Sequence, residues 1–246
     1  MPVFFVSSQH ITDKTIVIDG PLFEHLVKSL RFREGDTLLL CDETRHRHHS
    51  LIKEITKTKL EGTILNTEPG PPQSGSKIIL GQGMLKGDHM TWAIQKATEL
   101  GVATIVPLLT DRVIVRPKPD RFDSLQERYA RIALDAAQQS ERWEIPDIFP
   151  PTPFHQFLDQ FNQGTIACIL VERERLPGIH SLPLDKEFQG TVVVMVGPEG
   201  GWTLDERREA QQAHFIPISL GATILRGETA PLAAITLLQS RLGKLH

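Results

Sequence analysis

The sequence predicts an α/β protein in two parts, a small β-rich part followed by a larger part in which strands alternate with helices. Three observations predict this. Short β-rich runs precede residue 66. The segment 66–77, NTEPGPPQSGSK, contains no apolar residue and has the proline- and glycine-rich composition of a linker. The nearly continuous apolar strands after it are typical of a parallel sheet covered on both faces. We expect one domain at 1–72 and a second at 73–246.

The first part should form a small β-barrel with one helix. The helix is PLFEHLVKSL, with Pro21 in its first turn, where proline is tolerated. The predicted strands are FFV near Phe4, TIVI from Thr15, TLLLC from Thr37, SLIKEI from Ser50 and LEGTIL from Leu60.

The second part alternates regularly. Its predicted strands are KIILG, TIVPLL, TIACILV, TVVVMVG and FIPISLG. Its clearest helices are DHMTWAIQKATELG, which ends at Gly101, and DRFDSLQERYARIALDAAQQS, and further helices should start at Leu204 and near Thr229.

Composition narrows the function classes. No apolar run is long enough to cross a membrane, and the N-terminus has neither the basic region nor the apolar core of a signal peptide. Cys41 and Cys168 lie far apart and form no CxxC pair, as expected of structural thiols in a reducing cytoplasm. The net charge is −3, so any contact with nucleic acid must come from a few positioned cations.

Two clusters have a structural and a functional interpretation. The histidines of RHRHHS, residues 45–50, are flanked by arginines that would repel a metal ion. We therefore expect no metal site but an exposed hairpin tip, or else a contact with RNA phosphates. The glycines of GQGMLKGD, residues 81–88, are one position out of register with the dinucleotide fingerprint, which favours a tight strand-to-helix turn over a nucleotide site.

Three cations near the end of the first helix are candidates for RNA contact. They are Lys28, Arg31 and Arg33, in KSLRFREGD. Cations are favourable at the C-terminal end of a helix dipole, so a capping role and a phosphate-binding role both fit.

The segment VVVMVGPEGGWTLDE contains a glycine-rich turn between a buried strand and a helix. Thr203 and Glu206 have the spacing of a capping box, so the helix should begin at Leu204. Such turns at the carboxyl ends of parallel strands often bind ligands. Phosphate would meet the like charge of Glu199, so the turn should take a neutral or cationic ligand, or be purely structural.

The segment SLGATILRGETAPLAAITLLQSRLG ends in a helix that is apolar on almost every side. A helix of this kind must be buried all round, which indicates a core contact on one side and a second subunit on the other. Arg226 and Glu228 lie in the apolar surroundings just before it, where charges are usually paired or functional.

These motifs resemble the SPOUT class of RNA methyltransferases, and more narrowly the RsmE type, which methylates N3 of a uridine in 16S ribosomal RNA. The resemblance rests on GPEGG with its T-x-x-E helix, on SLGATILRGETAPLAAI, on KGDHMTWAIQKATELGVATIVPLLTDR and on AAQQSERWEIPDI. The N-terminal FEHLVKSLRFREGDTLLLCDE is similar to the PUA-like RNA-binding domain of that family. One position departs from the family: Gly227 stands where a threonine is common.

The resemblance implies an α/β domain with a trefoil knot, a homodimer, and S-adenosylmethionine as cofactor, and the cysteine usage noted above favours a cytoplasmic location. It places the cofactor against three loops, around 170–172, 196–201 and 219–226. The residues expected to bind it are Leu170, Val171, Val196, Gly197, Glu199, Gly200, Gly201, Ser219, Leu220, Gly221, Ile224 and Leu225.

The implied reaction moves a methyl group from a sulfonium to N3 of uracil in 16S ribosomal RNA. We expect Arg226 to stabilise negative charge on the uracil oxygens and Glu228 to accept the N3 proton, or only to pair with Arg226. The alternatives are a related enzyme that methylates another base or a ribose 2′-hydroxyl, a non-catalytic RNA-binding factor, and a dinucleotide oxidoreductase.

Overall fold

A computed structural model describes residues 2–72, 75–161, 165–172 and 174–245. The chain divides into two compact units. The first contains residues 1–72 together with 137–144, and the second contains residues 73–136 and 145–246. No sequence pattern predicted that residues 137–144 would join the first unit.

The first unit contains one six-stranded sheet in the order β1-β4-β5-β6-β3-β2, in which β1 and β4 are parallel and the other pairs antiparallel. A helix α1 (Gly20–Glu24) continues into a π-helical turn at His25–Ser29. The strands are β1 (Val3–Phe5), β2 (Ile11–Thr12), β3 (Thr15–Asp19), β4 (Thr37–Cys41), β5 (His46–Ile55) and β6 (Lys59–Pro69).

The sheet and the helix of this unit enclose one apolar cluster, which confirms the predicted β-rich core. Its buried members come from five strands, the residue after β1, the helix and the π-turn: Phe4, Val6, Ile16, Ile18, Phe23, Leu26, Leu38, Leu40, Ile52 and Leu60. Burial of these side chains is the main force that holds the unit together.

Two predictions about this unit are wrong for a shared reason. The histidine run lies in β5 rather than at a hairpin tip, and residues 66–69 of the predicted linker lie in β6. The two segments pair with each other, with His46 opposite Pro69 and His49 opposite Asn66. Backbone pairing thus overrides the local composition of both segments. Residues 73 and 74 of the predicted linker lie outside the described residues.

Inside this hairpin His48 is buried. Its Nε2 lies 2.9 Å from Asp42 Oδ2 and its Nδ1 lies 3.0 Å from Thr67 Oγ1. The ring is therefore a satisfied core group, which leaves it unable to contact RNA phosphates.

The second unit contains seven parallel strands with helices between them. The strands are β7 (Ser76–Gly83), β8 (Thr104–Leu109), β9 (Asp147–Ile148), β10 (Thr152–Pro153), β11 (Thr165–Leu170), β12 (Gly190–Val196) and β13 (Ile216–Ile218). The helices are α2 (Asp88–Glu99), α3 (Phe122–Gln139), α4 (Phe154–Phe161), α5 (Leu204–Gln212) and α6 (Thr229–Arg241).

The sheet has the order β10-β8-β7-β12-β11-β13, with β9 paired to β8, and every pairing is parallel. The central strand β12 shows that both faces are covered. Val192 and Val194 join one apolar cluster, whereas Val193 and Met195 join another. Because successive side chains of a strand point to opposite faces, the apolar run TVVVMV serves two cores. The predicted parallel α/β sheet is confirmed.

The last strand and helix cross the connection between β11 and β12. Ser219 donates its backbone N–H to the carbonyl of Pro177 at 2.9 Å. Arg241 of α6 donates to the carbonyls of Leu182 and Leu184 in the same connection. A trefoil knot would form at this crossing, and the knot itself stays a prediction from the resemblance.

Helix α6 is not buried all round within one chain. Ala234, Ile235 and Leu238 are fully buried, but the side chain of Leu237 is 47% exposed. The described helices include none that combines the length and the apolar character needed to cross a membrane.

Candidate active site

A cavity of about 550 Å³ lies at the carboxyl edge of the parallel sheet. Parallel strands end at one edge, so the loops that follow β11, β12 and β13 meet there. The cavity is lined by residues 170–172, by residues 196–199 with 201 and 202, by residues 219–228, and by His89 and Ala230. All of these belong to the second unit.

The cavity brings together nearly all of the predicted cofactor residues. The lining includes Leu170, Val171, Val196, Gly197, Glu199, Gly201, Ser219, Leu220, Gly221, Ile224 and Leu225. The predicted Arg226 and Glu228 also line it. Glu172, Pro198, Ala222 and Thr223 lie in the predicted loops, although they were not singled out. Sequence reasoning missed His89, Trp202, Gly227 and Ala230 as cofactor or catalytic residues, because the sequence gives no separate signal of this role for them.

Gly200 is the one predicted cofactor residue that does not line the cavity. Its carbonyl accepts a hydrogen bond from Arg112 Nη1 at 3.1 Å. A Cβ at position 200 would lie 2.8 Å from the Cβ of Arg112, so glycine permits this close contact. Gly200 therefore packs the loop against the chain after β8 and does not line the cavity.

The 197–201 loop is held closely against its surroundings. A Cβ at Gly83, the last residue of β7, would lie 2.5 Å from the backbone nitrogen of Pro198. Only glycine allows the strand and the loop to approach this closely. On the other side, Trp202 is buried and its indole N–H donates to the carbonyl of Leu170 at 2.8 Å.

The predicted capping box at the start of α5 is confirmed. Thr203 Oγ1 accepts from the backbone N–H of Glu206 at 3.1 Å, and Glu206 Oε2 accepts from the backbone N–H of Thr203 at 2.8 Å. The other oxygen of Glu206 accepts from the backbone N–H of Asp111 at 2.8 Å. The buried carboxylate thereby ties the loop both to its own helix and to the chain after β8.

The lining is acidic. Glu172, Glu199 and Glu228 contribute carboxylates, against the guanidinium of Arg226 and the imidazole of His89. Glu199 Oε1 accepts from the backbone N–H of Lys86 at 2.8 Å, which holds this carboxylate at the cavity. A phosphate group would be repelled here, whereas a cationic or neutral ligand would not.

Arg226 and Glu228 are close to each other but differ in exposure. The side chain of Arg226 is 82% exposed and that of Glu228 is 14% exposed. Their nearest atoms, Arg226 Nη1 and Glu228 Oε1, are 4.0 Å apart, which is too long for a hydrogen bond. The nearer partner of Glu228 is His89, whose Nδ1 lies 3.1 Å from Glu228 Oε1.

Gly227 packs against a buried leucine. A Cβ at position 227 would lie 2.7 Å from Leu85 Cδ2, and Leu85 is 3% exposed. In this chain Leu85 therefore occupies space that a larger residue at position 227 would need. This gives a physical reason for the departure from the threonine common in the family.

The first glycine cluster forms the tight turn that the spacing favours. Gly81 faces Phe157, Gly83 faces the 197–201 loop, and Gly87 adopts φ +59° just before α2. These glycines serve close packing and a turn. Within the described parts of the chain there is no group of three histidine, cysteine, aspartate or glutamate side chains arranged to hold a metal ion.

The three cations proposed to bind RNA lie in the first unit and are exposed. Lys28 Nζ pairs with Glu24 Oε1 at 2.6 Å, a surface pair of little strength that a phosphate could replace. The helix end around Arg31 is capped by backbone donors, since Leu30 and Phe32 donate to the carbonyls of His25 and Leu26.

In the described portion of the chain, no hydrogen bond or ion pair engages the guanidinium groups of Arg31 and Arg33. The capping interpretation of these two side chains is therefore not needed, and the phosphate interpretation stays a prediction.

The residues present fit S-adenosylmethionine on three counts. The cavity volume lies within the usual range for sites that bind molecules of this size. Glycine and aliphatic residues leave backbone groups accessible for hydrogen bonds, and Gly221 at φ +128° has open space where a Cβ would be. The carboxylates suit a sulfonium.

Burial raises the pKa of the Cys168 thiol in β11 to about 12, so this thiol stays neutral and is no nucleophile.

Comparisons with known proteins agree with this geometry. Residues 72–239 match the family model described as an RNA methyltransferase domain, and residues 18–65 match the RNA methyltransferase PUA domain. A ribosomal RNA small subunit methyltransferase E of Buchnera aphidicola is 32% identical over 233 residues, which are 95% of this chain and 93% of that protein.

Two solved structures are also similar. A ribosomal RNA small subunit methyltransferase E of Neisseria gonorrhoeae, solved with S-adenosylmethionine, is 31% identical with a TM-score of 0.87, covering 98% of this chain and 97% of that one. A Legionella pneumophila methyltransferase in complex with the same cofactor is 26% identical with a TM-score of 0.88, covering 97% and 96%.

The sheet, the cavity at its carboxyl edge, the two family models and these likenesses converge. The chain belongs to the family of the ribosomal RNA small subunit methyltransferases E.

Proposed function

We propose that the protein uses S-adenosylmethionine to methylate N3 of a specific uridine in the 16S RNA of the small ribosomal subunit. The observation that carries this proposal is a cavity with acidic and glycine-rich walls next to an exposed arginine and a sheltered glutamate. The methylation of ribosomal RNA by this chain implies a cytoplasmic location.

The cofactor would be held by the three loops at the edge of the sheet. Aliphatic side chains and backbone groups of residues 170–171, 196–197 and 219–225 would surround its adenosine part. Glu199 and Glu172 favour a positive charge nearby. The cofactor supplies an electrophilic methyl group on a sulfonium.

Arg226 and Glu228 would act on the uracil. Loss of the N3 proton places negative charge on the uracil oxygens, and the exposed guanidinium of Arg226 can reach out from the cavity to stabilise it. Glu228 is sheltered yet lines the cavity, so its carboxylate would accept the N3 proton.

The first unit would bind the RNA. It carries the whole match to a PUA domain, and Lys28, Arg31 and Arg33 present positive charge on its surface. We propose functional domains at 1–72 for RNA binding and at 73–246 for catalysis.

We further propose a homodimer. Leu237 on α6 is 47% exposed and Trp92 on α2 is 39% exposed, although the two helices pack against each other and are otherwise apolar toward the core. A second copy covering these side chains would remove them from water. Light scattering of the purified protein tests the mass directly.

The test of the reaction is mass spectrometry of ribosomal RNA nucleosides from a strain that lacks the gene. We expect 3-methyluridine to disappear from 16S RNA and to return when the gene is supplied again. Persistence of 3-methyluridine would reject the proposal. Loss of a 2′-O-methylated nucleoside or of another methylated base would instead support a related methyltransferase with a different target.

Calorimetry with S-adenosylmethionine separates an enzyme from a non-catalytic RNA-binding factor. We expect saturable binding with one cofactor per site. Absence of binding together with unchanged nucleosides would favour the non-catalytic alternative.

A further inference from the structure

We propose that His89 is a positioning residue that holds Glu228 in the orientation needed to accept the uracil proton. This inference rests on the proposed function and adds a residue that neither the motifs nor the resemblance assigns. His89 lies in the first turn of α2, and Glu228 directly precedes α6, so two separate helix starts meet at the cavity.

The contact between them is a close approach of a ring nitrogen to a carboxylate oxygen. His89 Nδ1 lies 3.1 Å from Glu228 Oε1. A carboxylate offers only acceptor lone pairs, so this approach is favourable when the imidazole carries a proton on Nδ1. The ring nitrogen then faces Oε1, which leaves Oε2 as the oxygen that can receive the uracil proton.

The side chain of Glu228 is directed to His89 rather than to the helix that it precedes. Glu228 is the N-cap residue of α6, but its side chain forms no capping hydrogen bond. Short polar side chains are preferred at such positions because they can reach back to the helix. The glutamate carboxylate extends instead to His89, which places it at the cavity.

Arg226 does not perform the same task. The side chain of Arg226 is 82% exposed and its Nη1 lies 4.0 Å from Glu228 Oε1. The side chain of His89 is 49% exposed and its Nδ1 lies 3.1 Å from the same oxygen. A side chain as exposed as that of Arg226 is free to follow the substrate. Orientation of Glu228 therefore falls to His89.

The segment that carries His89 is fixed on both sides of the cavity. Lys86 donates its backbone N–H to Glu199 in the 197–201 loop, and Leu85 packs against Gly227 in the 219–228 loop. The position of His89 is thus set by contacts with both walls. A positioning group needs this kind of support because small displacements reduce catalysis.

The proton step balances without an added reactant. The bond from N3 to its hydrogen would break, and the proton would move to Glu228 Oε2. The electron pair left on N3 would form the new bond to the methyl carbon while the bond from that carbon to the cofactor's sulfur breaks. The sulfur would keep that electron pair, so the leaving group is the neutral thioether S-adenosylhomocysteine. The Nδ1–H of His89 stabilises the carboxylate beforehand and stays on the ring. Glu228 then releases its proton to water when the methylated RNA leaves.

The experiment compares His89→Ala with His89→Asn in single-turnover methylation of small ribosomal subunits. Asparagine places an N–H donor the same number of bonds from the backbone as Nδ1, and alanine removes the donor. We expect His89→Ala to lower the rate of methyl transfer about 10-fold or more and His89→Asn to stay within about 3-fold of wild type. The dissociation constant for S-adenosylmethionine should change less than about 3-fold in both variants.

The matched control is His155→Ala, which removes an exposed histidine of α4 outside the cavity lining and should leave the rate unchanged. The double variant His89→Ala with Glu228→Gln should be no slower than Glu228→Gln alone, because the two residues act as one unit. Equal rates for His89→Ala and wild type would overturn the proposal. So would a double variant whose loss of rate equals the product of the losses in the two single variants.

A second readout needs no RNA. Nitrogen NMR of the protein alone should show His89 protonated at Nδ1, and Glu228→Gln should shift that signal. An inactive wild type that still shows this signal would reject the proposed reaction while leaving the His89–Glu228 contact intact. An active wild type without the signal would reject the positioning role alone.

Discussion

Two of the loops that line the cavity, 197–201 and 219–228, differ in how they are held. The 197–201 loop is fixed from several directions, by the close approach of Gly83, by the indole of Trp202 and by the carboxylate of Glu206. In the 219–228 loop, by contrast, residues 221–224 are all exposed. Its firm contacts lie at its ends, where Ser219 meets Pro177 and Gly227 meets Leu85.

This difference separates two tasks. A loop that is already in place can bind a cofactor with little loss of conformational entropy. An exposed loop that carries Arg226 can adapt to an RNA substrate and close over the cavity. We therefore expect changes in the 197–201 loop to affect cofactor affinity and changes in the 219–228 loop to affect the rate of transfer.

The largest effect should come from Arg226→Ala. Removing the guanidinium should lower the rate of methyl transfer about 100-fold or more, since charge on the uracil oxygens loses its partner. Calorimetry should still show cofactor binding. Arg208→Ala, which removes an exposed arginine of α5, serves as the control. Near-normal turnover by Arg226→Ala would contradict the assigned role.

Gly83→Ala tests the fixed loop. Its Cβ would meet backbone atoms of Gly197 and Pro198 at 2.9 and 2.5 Å, and backbone atoms cannot rotate away. We expect the free energy of unfolding to fall by about 1–3 kcal/mol, with a clear loss of cofactor affinity. Gly87→Ala separates clash from strain, because position 87 has φ +59° but no atom within 4 Å of a Cβ. Wild-type affinity in Gly83→Ala would show that the loop can move.

Gly227→Thr tests the attachment of the exposed loop. The added side chain would collide with Leu85 at 2.7 Å, so the turn that carries Arg226 and Glu228 should shift and the rate should fall about 10-fold. Adding Leu85→Ala to Gly227→Thr should restore part of the rate by opening space. If the double variant is slower than the product of the two single effects, the proposed steric cause is wrong.

The smallest effect should come from Thr203→Ala. Loss of the side-chain cap on α5 should cost about 1 kcal/mol of unfolding free energy, measured by denaturant titration. Cofactor affinity should change little because Glu206 still accepts from the backbone of Asp111. A large loss of affinity would show that the capping hydrogen bond itself shapes the cavity.

The sequence was most informative where a local pattern and the fold agree. The apolar run of β12 predicts a buried strand and the capping box at Thr203 predicts a helix start, and the structure contains both. The predictions for the histidine run and for the start of the linker failed because each segment pairs with the other, which is distant in sequence. This pairing of β5 with β6 satisfies the backbone groups whatever the composition. The resemblance supplied the rest of the architecture.

The site was predictable to a similar degree. Glycine and glutamate in GPEGG indicated a turn that rejects phosphate, and the cavity confirms the acidic lining. His89 and Trp202 lie in quoted segments, but they were not predicted as site residues because the local pattern gives neither side chain a signal for this role. Each becomes a cavity residue only through a contact with a residue distant in sequence, Glu228 and Leu170 respectively.

Helices α2 and α6 are joined by polar contacts at both ends. At their starts His89 meets Glu228, and at their ends Gln239 Nε2 donates to the carbonyl of Leu100 at 2.8 Å. The two helices therefore run side by side in the same direction over about 18 Å. A substitution of Gln239 would remove the contact at the far end of the pair, and we expect it to loosen the packing of α6, the helix that begins directly after Glu228. The last turn of α6 is thus connected, through the helix itself, to the cavity at the start of that helix.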